Sequence, residues 1–136
     1  MKNIIQTLKK IPAAILGSPV NVKKIILCQK ELTQNHNAMI PEDFLGLLHN
    51  FNAVAYDGAK IFGISPNGKI FMDIVLANQM SPLAGNPNIV VLGCDEFDYL
   101  AYNTETQTYQ IIDKEDLEVL EEYSEIEPAV KHILKI

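Results

Sequence analysis

The clearest hydrophobic pattern in the chain follows Pro41. Apolar side chains recur there at the spacing i, i+3, i+4, i+7, which places them on one face of a short helix: Phe44, Leu47, Leu48 and Phe51. Pro41 presets a helical φ, while Glu42 and Asp43 put negative charge at the positive end of the helix. Asn52 is expected to end this helix.

The pattern after this helix changes to that of strands and turns. Asp57-Gly58 suits a turn with positive φ, and residues 60–64 begin a strand after it. Asn67-Gly68 predicts a two-residue hairpin between that strand and a second one at 69–76. Further strands are predicted at 89–92, 99–103 and 108–112, with a loop at 80–87 and a turn at 104–107.

Helices are predicted at both ends of the chain. Residues 3–16 favour a helix broken at Pro12, and Ser18 with Pro19 is expected to open a second helix that ends at 33–37. Near the C-terminus, Ser124 and Glu127 form an S-x-x-E capping box before an apolar helical face. These elements predict an α+β fold: an antiparallel meander of about five strands packed against N-terminal and C-terminal helices, in a single domain spanning 1–136.

Three groups of motifs give the chain a resemblance to the SUKH superfamily. The first comprises Ile40-Pro41, Phe44, Leu47-Leu48, Asn52-Ala53 and Phe62-Gly63; the second is the block 90–113; the third is the closing segment SEIEPAVKHIL. Tyr56-Asp57-Gly58 and Ala77-Asn78 resemble the YrhA-like branch. Ala53 stands where the family usually has Gly. Ala adopts the left-handed backbone conformation at the end of a helix less readily than Gly does. The turn after Asn52 is therefore expected either to differ in shape or to be displaced toward Gly58.

Composition limits the class of protein. At 136 residues, 48% hydrophobic and 21% charged, the chain is long enough to bury a core without disulfides or metals. No segment has the length or flanks of a membrane span or signal peptide, so a cytoplasmic protein without membrane contact is expected. Cys28 and Cys94 lie far apart with no metal-ligand spacing, which predicts free thiols.

Charge is strongly polarised along the sequence. Residues 1–30 carry six lysines and no acid, whereas residues 95–127 carry 12 acids and only Lys114, a net charge of 1 − 12 = −11. Such an acidic segment repels phosphate backbones and attracts basic proteins. Direct nucleic-acid binding is therefore not expected, and the alternatives are a basic protein partner or an acidic face that only aids solubility.

Motifs for catalysis, metals and cofactors are weak throughout. His36, His49 and His132 have no ligand spacing, and no nucleophile elbow, phosphate loop or dinucleotide motif occurs. Cys94 is followed by Asp95 and Glu96, whose negative charge would raise a thiol pKa and weaken the nucleophile. We expect neither an enzyme nor a bound cofactor, although an enzyme using an unrecognised pocket stays an alternative.

The SUKH resemblance implies an immunity protein that neutralises a polymorphic toxin, in many cases a nuclease, by binding it. A regulatory or scaffold module related to cell-wall-assembly regulators is the alternative. The partner-contacting residues predicted from acidity and tyrosine content are Asp95, Glu96, Asp98, Tyr102, Glu105, Asp113, Glu115 and Asp116. The partner is expected to be a basic protein toxin domain, and the chain itself a monomer or weak homodimer.

Overall fold

The computed structural model describes residues 2–136, which form five helices and one seven-stranded antiparallel sheet. The helices are α1 Lys2–Lys9, α2 Val22–Gln34, α3 Glu42–Leu48, α4 Ile74–Met80 and α5 Ile126–Leu134. The strands are β1 Ile15–Leu16, β2 Val54–Tyr56, β3 Ala59–Ile61, β4 Ile89–Cys94, β5 Asp98–Asn103, β6 Thr108–Asp113 and β7 Val119–Tyr123. They follow one another across the sheet in chain order, so the α+β class and the antiparallel meander are confirmed.

The predicted strands are confirmed in part. Strands at 89–92, 99–103 and 108–112 occur within β4, β5 and β6, and β3 covers the beginning of 60–64. The short strands β1 and β2 and the acidic strand β7 were not predicted. The sheet therefore has seven strands where about five were expected.

The first tight hairpin lies at Asp57-Gly58, not at Asn67-Gly68. Tyr56 pairs with Ala59, and Asp57 and Gly58 take the positive φ values of 47° and 82° that such a two-residue turn requires. The segment after β3 runs as a loop to Asp73, so the hairpin predicted at 67–68 is wrong.

The strand predicted at 69–76 is also wrong, because a helix begins within it. The Asp73 carboxylate accepts hydrogen bonds from the backbone N–H groups of Leu76 (3.0 Å) and Ser65 (2.8 Å), which caps α4 and ties it to the preceding loop. The buried positions Ile74, Ala77 and Asn78 then follow helical spacing. Local capping and burial outweigh the β-branched composition of the segment.

Helix boundaries at both ends of the chain differ from prediction. The helix predicted over 3–16 ends at Lys9, and residues 15–16 instead pair with β2. Asn21, not Ser18, caps α2 by accepting hydrogen bonds from Lys23 and Lys24. The capping box is wrong too: Glu125 is the N-cap of α5, and Glu127 Oε1 accepts from the backbone N–H of Ile4 at 3.0 Å, joining α5 to α1.

The chain turns sharply after α3 at Ala53. This residue is fully buried and has φ = 111°, a value that L side chains rarely adopt. Its N–H donates to Phe51 O (2.9 Å), and its carbonyl accepts from Gly17 N (2.9 Å). Ala53 thus takes up the unusual backbone conformation itself, at the position where the resembled family usually has Gly.

Three side-chain amides act as substitutes for missing strands. Asn78 Oδ1 accepts from Val91 N (2.8 Å) and its Nδ2 donates to Val91 O (2.9 Å); Asn52 does the same for Ile64, and Gln29 for Ile40. Each amide satisfies both polar groups of one backbone residue on a side where no strand pairs with it. These contacts fix the helices and loops against the sheet.

The two faces of the sheet are covered by different helices. α5 packs across β3, β5, β6 and β7, with Ala129, Val130 and Ile133 fully buried. On the other face α4 packs on β4 and contacts α2. The turns at the ends of the strands are left open to solvent, and the acidic residues gather there.

Candidate partner-binding surface

Two neighbouring turns at one end of the sheet carry most of the predicted contact residues. One turn, 95–97, joins β4 to β5, and the other, 114–118, joins β6 to β7. The backbone N–H of Lys114 donates to Phe97 O at 2.9 Å, which holds the two turns side by side. We call these two turns, with the flanking residues Asp98 and Asp113, the acidic end; residues 95–98 and 113–118 contain seven acids and one lysine, a net charge of 1 − 7 = −6.

Asp95 builds the first turn. Its side chain is buried, and Oδ1 accepts hydrogen bonds from Phe97 N (2.9 Å) and Asp98 N (2.8 Å). Oδ2 lies 3.6 Å from Lys135 Nζ at the end of α5. The Asp95 carboxylate is therefore engaged inside the protein, while Glu96 beside it is exposed.

Asp113 builds the second turn in the same way. Its Oδ1 accepts from Glu115 N (2.8 Å) and Asp116 N (3.2 Å), and Asp116 Oδ1 accepts from Glu118 N (2.9 Å). This chain of hydrogen bonds supports Leu117, which has φ = 61°. The side chains of Glu115 and Asp116 remain exposed.

Asp98 and Asp113 face each other directly across β5 and β6. Partial burial, followed by the negative charges of Asp95 and Asp113, raises the pKa of Asp98, and His132 and Lys135 oppose this effect. Like charges in opposite positions of a sheet are destabilising. The ionised carboxylates of Asp98 and Asp113 therefore repel each other in the folded protein.

Tyr102 and Glu105 lie away from the acidic end. Tyr102 pairs with Tyr109 in the far half of β5, and their rings meet edge to face with centroids 4.9 Å apart. Glu105 is in the opposite turn, where it accepts from Asn88 Nδ2 at 3.4 Å. Five residue steps along β5 correspond to about 17 Å, so the eight predicted residues form two groups at opposite ends of the strands.

Exposed apolar side chains at the acidic end were not predicted. Phe97 is 65% exposed at the first turn, and Leu117 is exposed at the second. Val119 and Leu120, 46% and 48% exposed, continue this surface along β7. The sequence signal was the alternation of acids with large apolar residues in DEFD and EDLEVLEE. Large apolar side chains surrounded by charge are typical of protein-binding surfaces.

A second exposed apolar surface lies on α2, in the basic N-terminal part of the chain. Val22, Ile26 and Leu27 project from α2, and Met39 lies nearby. A groove of about 570 Å³ between α2 and α3 is lined by Ile25, Ile26 and Leu45 among others. Lys23, Lys24 and Lys30 belong to the same helix.

The Cys28 thiol is buried, the Cys94 thiol is half-buried, and His132 is hydrogen-bonded to a tyrosine. Burial raises the pKa of the Cys28 thiol to about 12. The pKa of Cys94 is also raised, first by burial, against the opposing effect of Lys114 and Lys60. Cys94 lies in a pocket of about 390 Å³ with Tyr99 and these two lysines. His132 Nδ1 is 2.7 Å from Tyr123 OH. Within residues 2–136, no three His, Cys, Asp or Glu side chains are placed to hold a metal ion, including the acids at 95–98.

The fold and this surface define an α+β protein with a concentrated acidic end bearing exposed apolar side chains. No protein-family model matches the sequence, and no curated protein is significantly similar to it. The SUKH resemblance therefore stays a prediction from the sequence motifs. Among the described residues, no helix has both the length and the apolar character needed to cross a membrane.

Proposed function

We propose that this chain is a cytoplasmic immunity protein with a SUKH-like fold, which binds a basic toxin domain through its acidic end and so neutralises it. It acts by binding and not as an enzyme. The observation that carries the proposal is the net charge of 1 − 7 = −6 on two adjacent turns around exposed Phe97 and Leu117. A nuclease toxin has a basic substrate cleft, and an acidic surface with apolar anchors is attracted to such a cleft and can block it.

Within this proposal, the contact residues are the exposed members of the predicted set at the acidic end. Glu96, Glu115 and Asp116 present exposed carboxylates to a partner, although Asp116 Oδ1 also accepts a hydrogen bond from Glu118 N. Asp95 and Asp113 shape the turns, while Tyr102 and Glu105 lie too far away to join the same central contact.

The test is co-expression with the product of the adjacent upstream gene, followed by a binding titration at two salt concentrations. We expect a tight complex that weakens with salt and restores growth. Glu96→Lys combined with Glu115→Lys should weaken binding on the order of 10–100-fold, since each reversed charge contributes about 1 kcal/mol and 1.4 kcal/mol is tenfold.

The matched control is Glu31→Lys combined with Glu105→Lys, which makes the same change in net charge at exposed positions elsewhere. We expect this control to weaken binding less than threefold at physiological salt. Equal losses from both double variants would show that only overall charge matters, and no loss from either would contradict the assignment of the acidic end.

A scaffold or regulatory role is the second candidate, and the apolar surface on α2 is the observation that favours it. A scaffold needs two separate binding surfaces, and Val22, Ile26 and Leu27 lie on a different part of the chain from Phe97. Simultaneous capture of two proteins, one lost on Ile26→Lys and the other on Phe97→Ala, would support this role over immunity.

A further inference from the structure

β7 leaves one edge of the sheet open. It is the last strand in the sheet order, and among the described residues it pairs with β6 alone. Within residues 2–136, the backbone groups of Val119–Tyr123 form no hydrogen bond to any segment outside the strand ladder. An unpaired edge is a template on which another extended chain can add a strand.

The register shows which backbone groups point outward. The N–H of Asp113 donates to Glu118 O at 2.9 Å, so the backbone polar groups of Asp113 face the β7 side of β6. In an antiparallel ladder the following pair, Ile112 with Val119, then directs its polar groups away from the partner strand. After the bulge at Ile111 and Ile112, Glu122 stands in the same position opposite Gln110. Val119 and Glu122 thus present N–H and C=O groups to the free edge.

β7 has two of the usual protections of an edge strand, glutamate side chains and the bulge opposite Ile111 and Ile112, but not the others. Its sequence, VLEEY, has no lysine or proline, and Val119 and Leu120 are exposed. Glu122 is held by Thr108 Oγ1 (2.8 Å) and Gln110 Nε2 (3.2 Å). Glu118 and Glu121 lie exposed beside the edge. The edge is therefore open, partly apolar and negatively charged.

These charges distinguish between two possible occupants. A second copy of the chain would bring its own Glu118 and Glu121 against the same residues, and like charges opposite one another are destabilising. An extended segment rich in lysine or arginine, with apolar residues at alternate positions, would pair its charges with these glutamates and cover Val119. Charge complementarity selects the basic segment.

We propose that β7 is a strand-addition site, on which the basic partner lays an extended Lys/Arg-rich segment by backbone hydrogen bonding. This proposal rests on the proposed function, because it specifies how the partner is bound next to the acidic end. The turn 114–118 joins the acidic end directly to β7, so one partner can contact both.

The test uses two synthetic eight-residue peptides of alternating Lys and Val, measured by fluorescence anisotropy. One has a normal backbone, and the other carries N-methyl groups on the residues that would donate to Val119 and Glu122. Charge and composition are matched, so only strand pairing differs. We expect the normal peptide to bind at least about tenfold more tightly, the cost of losing one to two net hydrogen bonds.

A protein variant makes the same test from the other side. Val119→Pro removes the outward N–H without removing a bond to β6 and should weaken the normal peptide at least about tenfold, whereas Val119→Ala keeps the N–H and should change binding less than about threefold. Circular dichroism checks the folding of both variants. The N-methylated peptide, used with the unchanged protein, decides the question if Val119→Pro does not fold.

The possible outcomes distinguish a failure of strand addition from a failure of the proposed toxin binding. Equal binding of the two peptides would overturn strand addition and leave binding to the acidic end intact. Absence of binding by either peptide, together with no toxin complex, would overturn both. A dimer of the unchanged protein that Val119→Pro dissociates would show that a second copy occupies the edge, and the proposal would be wrong.

Discussion

Replacing Asn78 by alanine tests how the sheet is held where it lacks a strand. Asn78 is 2% exposed, and its amide satisfies both backbone polar groups of Val91, which is fully buried. Asn78→Ala leaves this N–H and C=O without partners. The third contact, to Ile74 O (2.8 Å), matters less because that carbonyl is already within the helix.

The expected loss follows from these two orphaned groups. Each unsatisfied buried group costs about 1–3 kcal/mol, so we expect the free energy of unfolding to fall by about 3 kcal/mol or more. That is a large part of the roughly 5–15 kcal/mol available to a protein of this size. The midpoint of thermal unfolding should fall by roughly 10 °C.

Urea unfolding followed by far-UV circular dichroism gives the measurement. Asn50→Ala is the control, because the Asn50 side chain is exposed and donates to Gly46 O (3.1 Å) at the surface; its effect should stay within about 0.5 kcal/mol. A loss below about 1 kcal/mol for Asn78→Ala, at an unchanged urea dependence, would refute the reasoning. It would mean that Val91 finds other partners and that the amide is not a structural substitute for a strand.

Three further predictions concern strain and buried polarity. Ala53→Gly should raise the unfolding free energy by about 1 kcal/mol in urea titrations, because φ = 111° is strained for alanine and free for glycine. Asp98→Asn should stabilise the protein by about 0.5 kcal/mol at pH 7 by removing a charge opposite Asp113. The raised pKa of Asp98 sets the sign of its pH dependence: the cost exists while the carboxylate is ionised, so in melts the advantage should vanish as pH falls through the folded pKa to below the ordinary value of 3.8. Tyr109→Phe should be neutral or stabilising by up to about 1 kcal/mol in thermal melts, because the buried hydroxyl has no hydrogen-bond partner among residues 2–136.

Contrary results would be equally informative. A destabilised Ala53→Gly variant would mean that the Ala53 methyl group contributes more by packing than its backbone loses by strain. A gain for Asp98→Asn that persists at pH 3 would exclude charge as its cause. A loss above 1 kcal/mol for Tyr109→Phe would reveal a partner for the hydroxyl.

Periodicity predicted those elements whose burial follows one local pattern. Phe44, Leu47 and Leu48 gave α3 because they face the core on one side of a helix. A strand was predicted at 69–76 because apolar and β-branched residues follow Asn67-Gly68. The segment instead begins a helix, because Asp73 caps it through contacts with Ser65 and Leu76. β7 was missed because glutamates are poor strand formers; it forms because β6 offers it a paired edge.

The candidate surface was predicted in composition but not in shape. Acidity alone grouped Glu105 with Glu115, and only the strand register shows that they lie at opposite ends of the sheet. The structural use of the Asp95 and Asp113 carboxylates in turns likewise depends on contacts between residues two or three apart that acid counts do not reveal. The hydrogen bond from Lys114 N to Phe97 O places the exposed Phe97 beside the second acidic turn, and this contact joins residues far apart in the sequence.

Because β7 lies exposed at the margin of the sheet, its side chains can change without much effect on the stability of the fold. Four of its five side chains face solvent, and only Tyr123 is partly buried, with its hydroxyl bonded to His132. Surface substitutions away from special contacts usually change stability by less than about 0.5 kcal/mol. Residues 119–121 can therefore be exchanged during evolution with little damage to the core, and a lineage could acquire a new binding preference by rewriting this margin alone.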